Sequence, residues 1–276
     1  MKIAGREIGG NRPCFIVAEA GLAHGGDPKK AFELIDLAVE AGADAVKFQV
    51  YKAEDLVSRD RDVDLYNRFK SKELSYYDFK QLREYAEVRG IIWFATPHTK
   101  GALEFLESLM VPCYKVGSGE RGVGLFYEIL GMNKPVFIST GLRDENDILY
   151  LTDTFESKNI IFLHCVTQYP VPPKSADLLF LKKLKTPFGY SSHCVGYLDC
   201  LLAVALGAKI IEKHIKLLES TGQDCAGALF GDEFKGMVKL IRLSERMLGD
   251  GNRHYTEAER KNELWALKGS DGRRPL

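Results

Sequence analysis

The sequence predicts a (β/α)8 (TIM) barrel, eight parallel strands closed on themselves with helices outside. A short apolar run followed by a helix-like stretch recurs eight times along the chain. The runs are apolar on both faces and alternate with helices, as a parallel sheet requires. The length, 276 residues, is usual for one barrel and long for one open domain. A doubly wound open sheet is the alternative. It would have fewer strands and a glycine fingerprint after the first one, and Gly25-Gly26 is no such fingerprint.

Met1 to Asn11 contains short alternating pieces around Gly9-Gly10, read as a small hairpin plugging the amino-terminal mouth. Phe15 to Ala20 is the first strand. Asp27 caps Pro28, and Ala31, Leu34, Ile35, Ala38 and Val39 follow helical spacing up to Gly42. Ala45 to Val50 is the second strand, followed by a charged insert from Tyr51 to Leu74 and a helix from Tyr76 to Arg89. Ile91 to Thr96, Pro112 to Gly117 and Val136 to Thr140 are the third to fifth strands. Their helices are Ala102 to Met110, Gly124 to Met132 and Glu145 to Phe155. Ile160 to Val166 is the sixth strand, followed by Ser175 to Leu184. Pro187 to His193 and Lys209 to His214 are the last two strands, around a Leu198 to Gly207 helix with a glycine C-cap. Phe234 to Leu248 is the last helix. The expected organisation is one barrel domain over 1–268, with 1–13 as the hairpin, and a polar exposed tail over 269–276.

Basic and acidic residues balance at 38 each, so no global field draws nucleic acid or a membrane surface, and neither is an expected partner. No window approaches a membrane span and no signal peptide opens the chain. Six scattered cysteines without a Cys-x-x-Cys pair point to buried thiols and a reducing cytoplasm.

Polar residues gather at the carboxyl ends of the strands, the catalytic face of such a barrel. Glu19 and His24 close the first strand; Lys47 and Gln49 the second; Thr96 and His98 the third. Lys115, Ser118 and Glu120 follow on the fourth, Ser139 and Thr140 on the fifth, and His164, Thr167 and Tyr169 on the sixth. Ser191, Ser192, His193, Glu212 and His214 complete the ring. Two cations among short hydroxyls fit an anion, most simply phosphate. Pairing of Lys47 and Lys115 with Glu19, Glu120 and Glu212 as buried ion pairs is the alternative. His193 and His214 close neighbouring strands and could hold a divalent metal; separate, locally hydrogen-bonded histidines are the alternative.

Several stretches resemble the sialic acid synthase family: Ile16 to Gly21, Gly42 to Gln49, Lys52 to Ser58, Tyr114 to Glu120, Ser139 to Gly141, Leu163 to Pro170 and Ile211 to His214. The resemblance runs from about Phe15 to Gly251. It implies condensation of phosphoenolpyruvate with an amino-sugar aldehyde to a nonulosonic 2-keto acid, a carbon–carbon bond-forming transfer used in making nonulosonic acids and cell-surface polysaccharide. It implies Mn2+ or Mg2+ on His193 and His214, and a cytoplasmic homodimer. By motif, Lys47, Thr96, Lys115, Ser118, Ser139, Thr167 and Ser191 bind phosphoenolpyruvate, while Glu19, Gln49, Glu120, Tyr169 and Asp224 serve acid–base work and sugar contacts.

Three departures stand against that pattern. The family's Asn-His is Ala23-His24, and its Ser-Asp-His is Ser191-Ser192-His193, which is expected to alter the rim. The C-terminal antifreeze-like domain of many members is not expected here, so a separate capping protein is a candidate partner. A relative using an aldose phosphate needs a second clamp, for which Arg121 and Arg143 are the candidates. A non-catalytic sugar-binding relative is the remaining alternative.

Overall fold

The computed structural model describes residues 1–121, 124–155, 159–185 and 187–274. Eight strands close into a parallel barrel: β3 (Phe15–Gly21), β4 (Ala45–Val50), β5 (Ile92–Pro97), β6 (Tyr114–Val116), β7 (Val136–Ser139), β8 (Ile160–His164), β9 (Gly189–Ser192) and β10 (Ile210–His214). Each pairs with its sequence neighbour, and β10 returns to β3. The (β/α)8 expectation therefore holds.

The helices begin where the chain supplies caps. Asp27 accepts from Lys29 N ahead of α1 (Pro28–Glu40), whose proline needs no N–H donor there. The charged insert carries two short helices, α2 (Ala53–Leu56) and α3 (Val63–Lys70). A Ser75–Asp78 capping box opens α4 (Tyr76–Val88). Then follow α5 (Lys100–Ser108), α6 (Gly124–Gly131), α7 (Glu145–Thr154), α8 (Leu198–Ala205) and α9 (Gly231–Leu248). The stretch after β8 is two 3-10 pieces, Pro173–Ser175 and Leu178–Lys183, not one helix over 175–184, and Asp177, in the left-handed region at φ 45°, breaks the chain between them.

The amino-terminal hairpin exists but turns elsewhere. β1 (Lys2–Ile3) pairs antiparallel with β2 (Arg6–Glu7) across Ala4-Gly5, at φ 45° and 83°, not around Gly9-Gly10. Two consecutive positive φ angles are what a two-residue hairpin turn demands. Ile3 and Ile8 are buried against Phe15, Val17, Phe94, Phe137 and Ile210, the inward side chains at the strand starts. This plug makes the lower half of the barrel apolar.

Contacts divide the chain into two units, Met1–Glu245 and Arg246–Leu276. The first holds the barrel. The second contains a helix that hydrophobic periodicity does not announce, α10 (Glu257–Ala266), opened by a Thr256–Glu259 capping box. The box is its only local signal, since the helix buries no residue and shows no apolar stripe. Of the expected tail, Gly269 is half-buried, residues 270–274 are exposed, and 275–276 lie outside the described residues. Among the described residues no helix is long and apolar enough to cross a membrane.

Candidate active site

Inward positions recur every second residue, and along each strand they change from apolar to polar toward the carboxyl end. Phe15 and Val17 give way to Glu19, Ala45 to Lys47 and Gln49, Phe94 to Thr96, Cys113 to Lys115, Phe137 to Ser139, and Ile210 to Glu212 and His214. The polar set lines a cavity of about 320 Å3. Every sequence-predicted site residue lines it except Glu120: Glu19, Lys47, Gln49, Thr96, Lys115, Ser118, Ser139, Thr167, Tyr169, Ser191, His193, His214 and Asp224. Glu120 sits half-buried outside, its carbonyl accepting from Arg143 at 2.8 Å.

At the floor, Lys47 Nζ lies 2.8 Å from Glu19 Oε2 and 3.5 Å from Glu212 Oε2, and donates to Thr96 Oγ1 at 3.1 Å. Lys115 Nζ donates to Ser139 Oγ at 2.7 Å and lies 3.7 Å from Glu212 Oε1. Ser191 donates to the same Glu212 oxygen at 2.8 Å, and Gln49 to Glu19 Oε1 at 3.1 Å. Both alternatives for the lysines are thus realised together. They are ion-paired with Glu19 and Glu212, though not with Glu120, and they still line the cavity.

Burial pushes the Glu19 carboxyl up, only partly opposed by Lys47. Burial also works against charge on Glu212, but Lys115, Lys47 and the Ser191 hydroxyl outweigh it and hold that carboxyl down to about 2. Lys115 is pushed down by burial, partly offset by Glu212. On Lys47 burial is outweighed by the two carboxylates, so its ammonium is held up. The floor therefore holds a charged Glu212 between two lysines and a Glu19 predisposed to carry a proton.

His193 and His214 come together with ring centroids 5.4 Å apart, and the Tyr169 ring lies tilted against His193 with centroids 4.3 Å apart. Burial, reinforced by His214, pushes His193 down to about 4; burial likewise lowers His214. His193 Nδ1 bonds the Val166 carbonyl at 2.8 Å, which makes Nδ1 the protonated nitrogen and leaves Nε2 a free lone pair. Two neutral imidazoles, one oriented by a backbone carbonyl, fit a divalent transition metal. Among the described residues no cluster of three or more His, Cys, Asp or Glu with metal-holding geometry occurs, so His193 and His214 stand as a pair.

Glycine shapes the cavity at two places. At Gly141 a Cβ would overlap Thr167 Oγ1 and lie 2.6 Å from Ser118 Oγ, so only a bare Cα lets those hydroxyls converge. Gly21, at φ 50°, lies where a Cβ would crowd Glu19 Oε1 at 3.2 Å.

Other strand-end residues point elsewhere. His24 is buried in the turn after β3, with Nδ1 accepting from Gly26 N at 3.1 Å. His164 faces the helix layer and bonds the Ala176 carbonyl at 3.0 Å. The expected rim arginines do not reach the cavity: Arg121 pairs with Asp147 at 3.2 Å, and Arg143 serves the Glu120 carbonyl. Ser192 is no rim residue either. It is fully buried and faces outward, bonding Asp199 Oδ2 at 2.5 Å.

Glu212, His98 and Cys165 stand outside the set of substrate, metal and acid–base residues expected from sequence, yet all line the cavity. Period-two alternation was the available signal, since Glu212 precedes His214 by two and Cys165 follows Leu163 by two. Arg68 and Lys72 of the insert also line it. Lys72 donates to the Thr221 carbonyl at 3.0 Å, tying insert to the β10–α9 loop. No periodicity joins that insert to the barrel, so nothing local announced them.

A model of the NeuB family matches residues 34–253. The chain belongs to the NeuB family. It is 40% identical over 272 residues to an uncharacterized protein of Methanocaldococcus jannaschii, covering 94% of this chain and 79% of that one. It is 34% identical to a pseudaminic acid synthase of Campylobacter jejuni, covering 93% and 81%. The crystal structure of an N-acetylneuraminic acid synthetase from Leptospira borgpetersenii in complex with citrate superposes with TM-score 0.86 at 31% identity, covering 95% and 94%. As a NeuB family member the chain is a phosphoenolpyruvate-condensing synthase.

Proposed function

We propose that this NeuB family protein joins phosphoenolpyruvate to a hexosamine-type aldehyde and releases a nonulosonic 2-keto acid and phosphate. The carrying observation is the pairing of two chemistries in one cavity. Lys47, Lys115 and hydroxyls from β5, β7 and β9 form an anion cradle, and neutral His193 and His214 stand at the ends of β9 and β10. β6, which carries Lys115, is four strands round the barrel from β10, which ends on His214, so these two side chains start from opposite sides of the mouth.

In this reading Lys47, Thr96, Lys115, Ser118, Ser139, Thr167 and Ser191 hold the carboxylate and phosphate of phosphoenolpyruvate. Gln49, Tyr169 and Asp224 orient the sugar. C3 of phosphoenolpyruvate attacks the aldehyde carbon, the aldehyde oxygen takes a proton, water adds at C2, and phosphate leaves. Glu19, raised by burial beside the cradle, holds and returns the proton. Ion-pairing of both lysines to Glu212 keeps their ammonium groups aimed at one point before substrate arrives. His193 and His214 would hold Mn2+ or Mg2+, which supplies Lewis-acid polarisation of the aldehyde oxygen. Cytoplasmic location and a homodimer belong to the same reading.

Arg68 and Lys72 favour a second reading, in which the aldehyde carries an anionic group such as phosphate. Both line the cavity, and neither has an acidic partner within ion-pair distance among the described residues. Incubation with phosphoenolpyruvate, Mn2+ and a panel of neutral and phosphorylated hexosamines decides between them. Phosphate release with 2-keto acid formation on neutral sugars supports the first reading, and turnover confined to phosphorylated ones supports the second. Absence of product with every sugar would overturn both.

A further inference from the structure

β9 and β10 run in register with Lys213 opposite Ser192. Ser191 and Glu212 meet inside the barrel, so Ser192 and Lys213 face outward toward α8. Both are fully buried. Lys213 Nζ donates to Ser192 Oγ at 2.8 Å and to the Cys194 carbonyl at 2.5 Å. Ser192 Oγ donates in turn to Asp199 Oδ2 at 2.5 Å, and the Tyr190 hydroxyl donates to the same oxygen at 2.9 Å. Asp199 is itself buried, in the first turn of α8, where the helix dipole favours its charge.

A buried ammonium persists only where charge and hydrogen bonds compensate it. Here the compensating charge stands on a helix, and a serine hydroxyl bridges the gap by accepting from the lysine and donating to the aspartate. The placement has a consequence for the site. Ser192 and Cys194 flank His193, and Lys213 immediately precedes His214. One ammonium therefore grips both chain neighbours of one imidazole from the residue beside the other.

We propose that Lys213, compensated by Asp199 through the Ser192 hydroxyl, is a positioning residue that sets the separation of His193 and His214. Its role rests on the reading of those imidazoles as one metal-holding pair. Lys213 touches neither substrate nor metal; it acts by fixing the two strand ends against each other.

The test uses the full chain with Lys213→Met, Lys213→Arg and Asp199→Asn, and the double variant Asp199→Ala with Ser192→Asp. The first readout is the nuclear Overhauser effect between the His193 and His214 ring protons without added metal. The second is the Mn2+ dissociation constant, from the electron paramagnetic resonance of free Mn2+. Lys213→Met and Asp199→Asn are expected to lose the ring-to-ring effect and to weaken Mn2+ by about 10–100-fold. Phosphoenolpyruvate affinity, read by calorimetry, should change far less. Lys213→Arg should keep both signals, and Ser192→Asp should restore them in the Asp199→Ala background, because a carboxylate at 192 meets the ammonium directly. A merely structural role would lower the melting temperature and leave both signals intact. Folded Lys213→Met and Asp199→Asn proteins with wild-type signals would overturn the proposal. If Lys213→Met does not fold, Asp199→Asn and the double variant decide. A wild-type chain that binds no Mn2+ removes the metal reading, and the ring-to-ring effect alone then decides the positioning role.

Discussion

The Lys47 ammonium stands 2.8 Å from the Glu19 carboxylate and 3.5 Å from that of Glu212, with all three side chains buried. Two lysines and two glutamates on four inward-facing strand positions make a floor whose net charge turns on the proton of Glu19, which burial favours. Such a floor attracts an anion only by exchanging partners, which places the cost of assembling the site in the folded protein itself.

Removing one member of that floor leaves its partners uncompensated. Glu212→Gln should cost about 3–5 kcal/mol near neutral pH, because both lysines lose their shared acid. The pH dependence follows from the shifts. Glu212 is held down to about 2 from an ordinary 4.5, so its contribution is complete above 4.5 and is lost as pH falls toward 2. Glu19 is held up, so charging it as pH rises above 4.5 opposes folding. Urea unfolding should show the gap between wild type and Glu212→Gln constant from neutrality down to about pH 5 and narrowing below it toward about pH 2. A gap constant over the whole range would contradict the assignment.

Lys115→Ala should weaken phosphoenolpyruvate binding by roughly 1.5–3 kcal/mol, the worth of one charge-assisted hydrogen bond. Titration calorimetry measures it. Unchanged affinity would mean that Lys115 serves only Glu212 and Ser139.

His193→Ala and His214→Ala should each abolish metal-dependent turnover and leave the circular dichroism spectrum unchanged. Burial pushes His193 down to about 4, so the imidazole is neutral across the physiological range. Mn2+ affinity should therefore stay flat on acidification from neutrality and fall only as the pH nears 4. Metal titration across pH checks both points, and a loss centred near the ordinary histidine value of 6.5 would show that burial does not govern this site.

Gly141→Ala should damage catalysis more than stability. Its Cβ would lie 2.6 Å from Ser118 Oγ and 3.0 Å from Cys165 Sγ, pushing cradle hydroxyls apart. A displacement on the scale of 1 Å can cost about 100-fold in rate. Steady-state kinetics beside a thermal melt separates the two effects, and wild-type kcat/KM would show that the cradle tolerates the displacement.

Arg68→Ala with Lys72→Ala should raise KM for an anionic aldehyde by about 10-fold or more, at one to two lost charge-assisted contacts, and leave a neutral hexosamine unaffected. Equal effects on both sugar classes would show that these cations do not read the sugar's charge.

The barrel and most of its polar rim are legible in the order of residues alone. Alternation along a strand and helical spacing between strands are local properties, and closure follows from the eightfold count. For that reason the positions of Lys47, Lys115, Ser139, Ser191, His193 and His214 in their strands suffice to assign them to one mouth. Local pattern also misled where it lacked depth. Gly9-Gly10 looked like the hairpin turn, yet the chain reverses at Ala4-Gly5, where Ile3 and Ile8 then both reach the barrel interior.

What comes from elsewhere in the chain to meet each strand-end residue is set by the closed fold. Ser192 follows Ser191 by one residue and so lies on the opposite face, where Asp199 and Lys213 complete it. Glu120 lies beyond the end of β6, where the strand's alternation no longer sets its direction, and it misses the cavity. Arg68 and Lys72 enter from an insert whose charged composition reads as a solvated face. Periodicity sets direction within one regular element, as it does for Ser192, but it does not say which distant residues that element packs against, and beyond the element's end, as at Glu120, packing sets the direction as well.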